Sequence, residues 1–260
     1  MERANRFAAM SYGLYISAEG AHAQSRRVET LANNLANADT VGFKRDLAVL
    51  QARYSEETQR GLDYPGSQTV NDLGGGVSVT KTQTDFSAGA FKRTNVPSDM
   101  AIPGDGFFMV RRPDGDYLTR AGNFMFNSAG RLVTQDNYAV LSDSGAPIDI
   151  DPDAGDWRLT GDGSIVQDGS QQNLALVKPR SMGDLSKVGQ NLFKSLAPAP
   201  PLPAEQRQVQ GGFLEQSDVK PTSEMMELIE ASRAFEANIS MIKNLDQMMG
   251  TLTSRLLKFS

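Results

Sequence analysis

The two ends of this chain carry the same apolar rhythm, and a long stretch of different texture separates them. Leu14, Ala18, Ala21, Ser25, Val28, Ala32 and Leu35 advance in alternating steps of four and three, the seam of a paired helix, with Leu31 beside it. Leu228, Ser232, Phe235, Ile239 and Ile242 repeat the rhythm near the other end. A three-residue step then shifts the stripe to Leu245, Met249, Leu252 and Leu256, a stammer that locally overwinds a coil.

A helix over 225–256 runs to roughly 50 Å at a rise of about 1.5 Å per residue, about three times the ordinary helix. Each Leu, Ile or Phe on the stripe gains about 1.5–3 kcal/mol once covered. One N-terminal helix of small residues covers only one side of such a stripe. Two readings stand: neighbouring subunits supply the remaining cover, or the pair is an ordinary two-helix packing inside one chain.

Composition narrows the function. A chain of 260 residues with 39% hydrophobic residues is lean for a single large globule, which places part of it in extended or assembling structure. A net charge of −5, with basic residues never more than two adjacent, as at Arg26-Arg27 and Arg111-Arg112, argues against nucleic acid as a partner. Without cysteine there are no disulfides or thiolate metal sites, and the single histidine, His22, leaves little scope for zinc or triad chemistry. No apolar run reaches the about 18 residues of a membrane span, so no membrane insertion is expected. Met1 to Arg6, Phe7 to Ile16 and Ala21-His22-Ala23 imitate a secretory leader, but Ser11, Tyr12 and Gly13 interrupt its apolar core and cleavage would remove half of the stripe.

Between the ends the texture changes several times. Asn33, Asn34 and Asn37, followed by Gly42, stop the first helix near 36–39, since Asn and Gly tolerate left-handed backbone. Residues 46–76 read as a connector, broken by Pro65-Gly66 and Gly74-Gly75-Gly76. From 77 to 196 short apolar strands alternate with turns such as Pro113-Asp114-Gly115, Asp162-Gly163 and Asp168-Gly169, the pattern of a small all-β domain. Pro198, Pro200, Pro201 and Pro203 make 197–212 an extended return linker. Pro221, with a capping hydroxyl from Thr222 or Ser223 and an acid at Glu224, starts the last helix. The expected fold is α+β with a mainly β centre: long terminal helices form a coiled-coil-like domain from 1–45 plus 213–260, and an all-β domain of short hairpins is inserted between them.

The usual chemical motifs fail on inspection. Asp149, Asp151, Asp153 and Asp156 suggest a calcium loop, yet Ala154 and Thr160 occupy the places of its glycine and its bidentate glutamate. Gly104-Asp105-Gly106 opens a dinucleotide-like pattern that Met109 breaks, and Gly74 to Gly76 lacks the phosphate loop's lysine. No sequence feature selects a pair of carboxylates for glycoside hydrolysis. No catalytic, metal or cofactor residues are expected.

Two segments at opposite ends resemble one family. Ala32 to Asn37 with Thr40-Val41-Gly42-Phe43-Lys44 resembles the N-terminal signature of bacterial flagellar rod and hook proteins. Leu214 to Val219, Glu224 to Ile229 and Arg233-Ala234-Phe235-Glu236-Ala237-Asn238 resemble the C-terminal one, and Ile102 to Phe108, Tyr117 to Asn123 and Val188 to Phe193 resemble motifs of the family's β domain. Asp39 and Asp218 depart from it, standing where neutral residues are frequent. The resemblance implies a structural subunit of the periplasmic rod of the flagellar basal body. It implies export through the flagellar type III apparatus without a cleaved leader, assembly with itself and with other rod and hook axial proteins, and torque transmission without catalysis. The Leu214 to Pro221 segment looks more like the proximal rod branch, while the connector length suits the distal rod branch, and the proximal branch is favoured.

The residues expected to carry this role are the seam positions Leu14, Val28, Leu31, Leu35, Phe235, Ile239, Ile242, Leu245 and Met249. With them go the signature residues Asn33, Asn34, Asn37, Gly42, Phe43, Arg233 and Glu236. The rivals from other classes are a periplasmic binding module whose helices present the β domain, and a cell-wall hydrolase using acids of that domain.

Overall fold

Along the chain, a long helix near each end flanks a β-rich stretch in sequence. The computed structural model describes residues 2–54, 56–64, 66–67, 74–151 and 154–257, and describes no side chains for 2–12, 56–57 and 255–257. The leader-like start at Met1, the break at Pro65, the acid Asp153 and the seam side chain of Leu256 therefore lie outside what is described.

The helices are α1 (Glu2–Ala36), a four-residue α2 (Glu56–Gln59) and α3 (Pro221–Leu257). The strands in chain order are β1 (Asp46–Ala52), β2 (Val77–Thr84), β3 (Phe91–Arg93), β4 (Met100–Ala101), β5 (Phe107–Arg112), β6 (Gly115–Thr119), β7 (Met125–Phe126), β8 (Leu132–Val133) and β9 (Ala139–Val140). They continue with β10 (Arg158–Leu159), β11 (Ser164–Gln167), β12 (Ser170–Asn173), β13 (Leu176–Val177), β14 (Leu185–Gly189), β15 (Leu192–Ser195), β16 (Gln210–Gly211) and β17 (Phe213–Glu215). Chain packing divides these into two units. The first holds residues 1–36, 46–83 and 220–260; the second holds 37–45 and 84–219.

In the first unit α1 and α3 pack antiparallel. Gly13 faces Leu245, Gly20 faces Asn238, Arg27 pairs with Glu227 at 3.3 Å, and Asn34 reaches Glu224 at 3.3 Å. A Cβ on Gly20 would lie 3.1 Å from the Asn238 amide oxygen, so this glycine, which is not one of the seam positions read from the sequence, sets how closely the helices approach there. β1 pairs with β2 in a two-stranded ribbon, and Thr80 donates to the Gln51 side chain at 2.9 Å.

In the second unit one sheet runs in the order β14-β15-β6-β5-β9-β8-β7, with β13 added against β5; β10-β11-β12 form a second sheet, and β16-β4 and β17-β3 form two ribbons. Successive side chains on a strand point to opposite faces. Phe108 therefore enters the main core with Val110, Leu132, Ile148, Leu174 and Leu192, while Phe107 turns to a second cluster with Leu118, Val177 and Phe193. The Asp168-Gly169 turn joins β11 and β12 with positive φ at both residues, 47° and 79°, as a tight hairpin of matching twist requires.

Three expectations need correcting. The signature segments 37–45 and 213–219 group with the β-rich unit, not with the helices, because Gly42 N–H donates to Glu215 C=O at 2.8 Å and β17 pairs with β3. Residues 197–212 are no free spacer. Lys178 N–H donates to Pro200 C=O, Leu202 N–H donates to Leu176 C=O, and Leu202 is buried; the prolines lose nothing there because their neighbours supply the donors. Finally, α3 opens directly on Pro221, with Thr222 and Ser223 exposed inside its first turn, as suits a residue whose missing N–H has no helical partner anyway.

Candidate functional site

The signature residues are structural joints, each joint lying within one unit. In the helical unit Asn34 is buried, and its amide is matched to the backbone of Asp46: Nδ2 donates to Asp46 C=O at 2.8 Å and Oδ1 accepts from Asp46 N–H at 2.9 Å. The same Nδ2 reaches the buried Glu224 in the first turn of α3, where the helix dipole also favours an acid. One asparagine thus ties the end of α1 to the start of β1 and the start of α3. Asn33, Arg233 and Glu236 are exposed, and Asn37 accepts from the Thr40 hydroxyl at 3.2 Å as part of the turn that ends α1.

The β-rich unit holds a buried charge cluster. Lys44 is 1% exposed and Glu215 1%, and Lys44 Nζ donates to Glu215 Oε1 at 2.6 Å and to Ser87 C=O at 2.7 Å. Glu215 Oε1 also accepts from Gly89 N–H at 3.1 Å, while Oε2 faces Arg120 Nη1 at 3.4 Å. Arg120, 5% exposed, donates to Ile102 C=O and Gly104 C=O and lies over the Phe107 ring at 4.8 Å. Burial pulls its guanidinium below the ordinary value, and Glu215, followed by Asp105, works the other way. Segments far apart in sequence therefore converge on one carboxylate.

Gly42 fits this joint only as glycine. Its φ is +65°, and a Cβ there would sit 2.5 Å from Ala121 N. Phe43 is buried under Lys187, whose Nζ stands 3.9 Å from the ring centroid and donates to Lys44 C=O. Next to it Asp218 accepts from Arg45 N–H at 3.0 Å, and burial pushes its carboxyl above the usual carboxylate range.

The stripes divide by exposure. Leu31 is buried, and Leu14, Val28, Leu35, Phe235, Ile239, Ile242, Leu245 and Met249 are half-buried, whereas Ala18, Ala32 and His22 are exposed. Met226 at 67%, Ile229 at 52%, Met241 at 53%, Met248 and Leu252 are exposed on α3. At about 100° per residue these five fall within an arc of about 140° on the side opposite Leu228, Ala231, Phe235, Ile239 and Ile242. Apart from Leu252, which the sequence placed on the seam, this second stripe escaped the sequence reading because it breaks at Arg233 and Asn244 and lacks the regular alternation of the first. The charged cluster escaped it too, since nothing in sequence says which lysine or glutamate is buried. The usable signal was that both signature segments carry a charge, Lys44 and Glu215, of opposite sign.

In chain order the described residues give a long helix, a β-rich stretch and a second long helix, and no helix among them is long and apolar enough to cross a membrane. Residues 14–44 match the family described as flagella basal body rod protein, 101–167 match the flagellar hook protein FlgE/F/G D1 domain, and 210–255 match the flagellar basal body rod FlgEFG protein C-terminal family. The flagellar basal-body rod protein FlgF of Caulobacter vibrioides is 34% identical over 253 residues, covering 96% of this chain and 100% of the relative. FlgG of Bacillus subtilis is 31% identical over 263 residues, covering 94% and 99%. FlgG of Caulobacter vibrioides is 34% identical over 260 residues, covering 91% and 96%. The chain belongs to the flagellar basal-body rod protein family.

Proposed function

We propose that this chain is a structural, non-catalytic subunit of the flagellar rod, which assembles through its terminal helices with copies of itself and with other rod and hook proteins and carries torque mechanically. The observation that carries the reading is the second stripe of α3. Methionine, isoleucine and leucine stay exposed along α3 beside the residues that meet α1, on a helix of 37 residues. Large apolar side chains left exposed along one side of a helix, even with polar breaks, point to an interaction face. The half-buried seam between α1 and α3 then works as a coiled-coil-like pair within the subunit, and the outer stripe supplies its contact with neighbours. The proximal rod branch is the favoured place on the Leu214 to Pro221 segment, since FlgF and FlgG relatives match the chain at the same 34% identity. Export through the flagellar type III apparatus and a periplasmic site in the basal body belong to the same reading.

The test is Met241→Asp together with Met248→Asp in a flagellated host that depends on this chain. Both side chains are exposed in the single chain, so the purified variant keeps its unfolding midpoint while its incorporation into basal bodies and the motility of the host are lost. Wild-type motility with both substitutions present would refute the outer stripe as an assembly face.

A further inference from the structure

In this acidic chain, an open cleft of the β-rich unit is lined by two arginines and no acid. Arg93, Trp157, Arg158 and Phe213 stand around a volume of about 390 Å³ floored by Gly211-Gly212, within the range of built ligand sites. Gly211 lets the floor approach Leu159 closely, since a Cβ there would lie 3.1 Å from its Cδ2. Arg93 donates to the Asn95 side chain at 2.7 Å, and Arg158, exposed, makes no hydrogen bond or ion pair among the described residues. Trp157 stacks edge-on against Phe126 at 5.0 Å between ring centroids, which holds one wall rigid.

The same unit carries the complementary charge on an exposed turn. The β11–β12 hairpin ends in Asp168-Gly169, both exposed, and Asp168 has no ion pair among the described residues. Beside it a second cleft of about 290 Å³ is lined by Asp149, Asp151 and Asp168, where Arg131 already holds Asp149 at 2.8 Å. Arg158 and Asp168 belong to one sheet, with Arg158 opposite Val166 in the β10–β11 register, and they do not pair with each other within the chain.

We propose that the Arg93–Trp157–Arg158 cleft receives the Asp168 hairpin turn of a second copy of this chain. This contact rests on the self-assembly reading and gives the β-rich unit its own part in it, setting rotational register between neighbours whose helices adhere by apolar contact. Each copy carries both the turn and the cleft, so the contact closes as a two-fold pair when both are used reciprocally, and propagates as a ring or helix when copies repeat head to tail. Charge across it selects the partner and its orientation more than it adds affinity.

The absence of cysteine in the natural chain allows a clean test. Full-length Pro97→Cys, which marks the cleft, is mixed with full-length Ser170→Cys, which marks the turn, under oxidising conditions, and sedimentation of the same samples reports whether copies associate. The expected result is association with a disulfide heterodimer of the two chains. Adding Arg158→Glu to the cleft chain slows its formation about tenfold, and adding Asp168→Arg to the turn chain restores it. Circular dichroism melts of each variant check that the fold is kept. Association without the heterodimer overturns the cleft contact and leaves the helical reading standing, and a heterodimer indifferent to Arg158→Glu overturns its electrostatic basis. Sedimentation as single chains with no heterodimer overturns both readings, whereas a salt-sensitive heterodimer between chains with Met241→Asp and Met248→Asp upholds the cleft without the helices.

Discussion

Replacing Glu215 by Gln leaves Lys44 and Arg120 buried as two cations without an anion between them. The side chain keeps its shape and an oxygen for Gly89 N–H, so the change is almost purely one of charge. Its carboxylate accepts from Lys44 at 2.6 Å and faces Arg120 at 3.4 Å, with all three side chains 5% exposed or less. Removing one member of a buried, hydrogen-bonded ion pair costs about 3–5 kcal/mol, mostly from stranding the partner charge. For a unit of this size that lowers the melting midpoint by roughly 10–15 °C. Lys44→Met costs less, about 1–3 kcal/mol, because Glu215 retains Arg120 and Gly89. The double variant should lose about 1–3 kcal/mol less than the sum of the singles, since each charge is then no longer stranded by the other's removal. The assay is built in: the chain has one tryptophan, Trp157, packed on Phe126 within the β-rich unit, so its fluorescence during urea unfolding reports that unit. A shift below about 1 kcal/mol for Glu215→Gln, or strict additivity of the two substitutions, would refute the buried cluster as the joint between the signature segments.

Further outcomes test other joints. Gly42→Ala should destabilise the β-rich unit by at least about 2 kcal/mol, from left-handed backbone and from a Cβ forced against Ala121, read by the same fluorescence. Gly20→Val should wedge the helices apart at Asn238 and cost about 1–3 kcal/mol, visible as earlier loss of helical circular dichroism while Trp157 emission holds. Asp218 has its carboxyl raised by burial, so between the ordinary carboxylate value and the raised one the folded chain holds a proton the unfolded chain has released, and stability falls as pH rises through that window. Asp218→Asn, which still accepts from Arg45 N–H, should therefore be more stable than the natural chain at neutral pH, with the gain vanishing below that window; equal stability at pH 7 and greater stability only in acid would reverse the sign. Ile239→Asp should both weaken the helical unit and block assembly, because Ile239 is half-buried within the single chain.

Much of the fold was legible in the chain itself, for local reasons. The stripe spacing declared two helices, and the first ends at Ala36 as expected, though Asn33 and Asn34 lie inside it and left-handed backbone appears only at Gly42, beyond its end. The turn pairs Asp162-Gly163 and Asp168-Gly169 marked hairpins, because twisted strands need positive φ at their ends. The boundaries were less legible. Val77 was expected to open the β domain, yet β2 runs with the helices to residue 83, since its partner β1 follows α1 and is stapled to it by Asn34. Residues 197–212 read as a spacer on their prolines alone, though Leu202 and Val209 turned out to be core.

By itself the sequence determined the periodic elements, the turns and the paired signatures that place the chain in its family, all consequences of neighbours a few residues apart. Only the tertiary structure decided that Lys44, Arg120 and Glu215 are interior, that Gly42 is squeezed against Ala121, and that the outer face of α3 keeps its methionines in the open. The physical reason is that charge, strain and exposure are properties of a place. Whether Lys44 is a solvated cation or half of a buried pair is set by residue 215, whose position no local rule can supply.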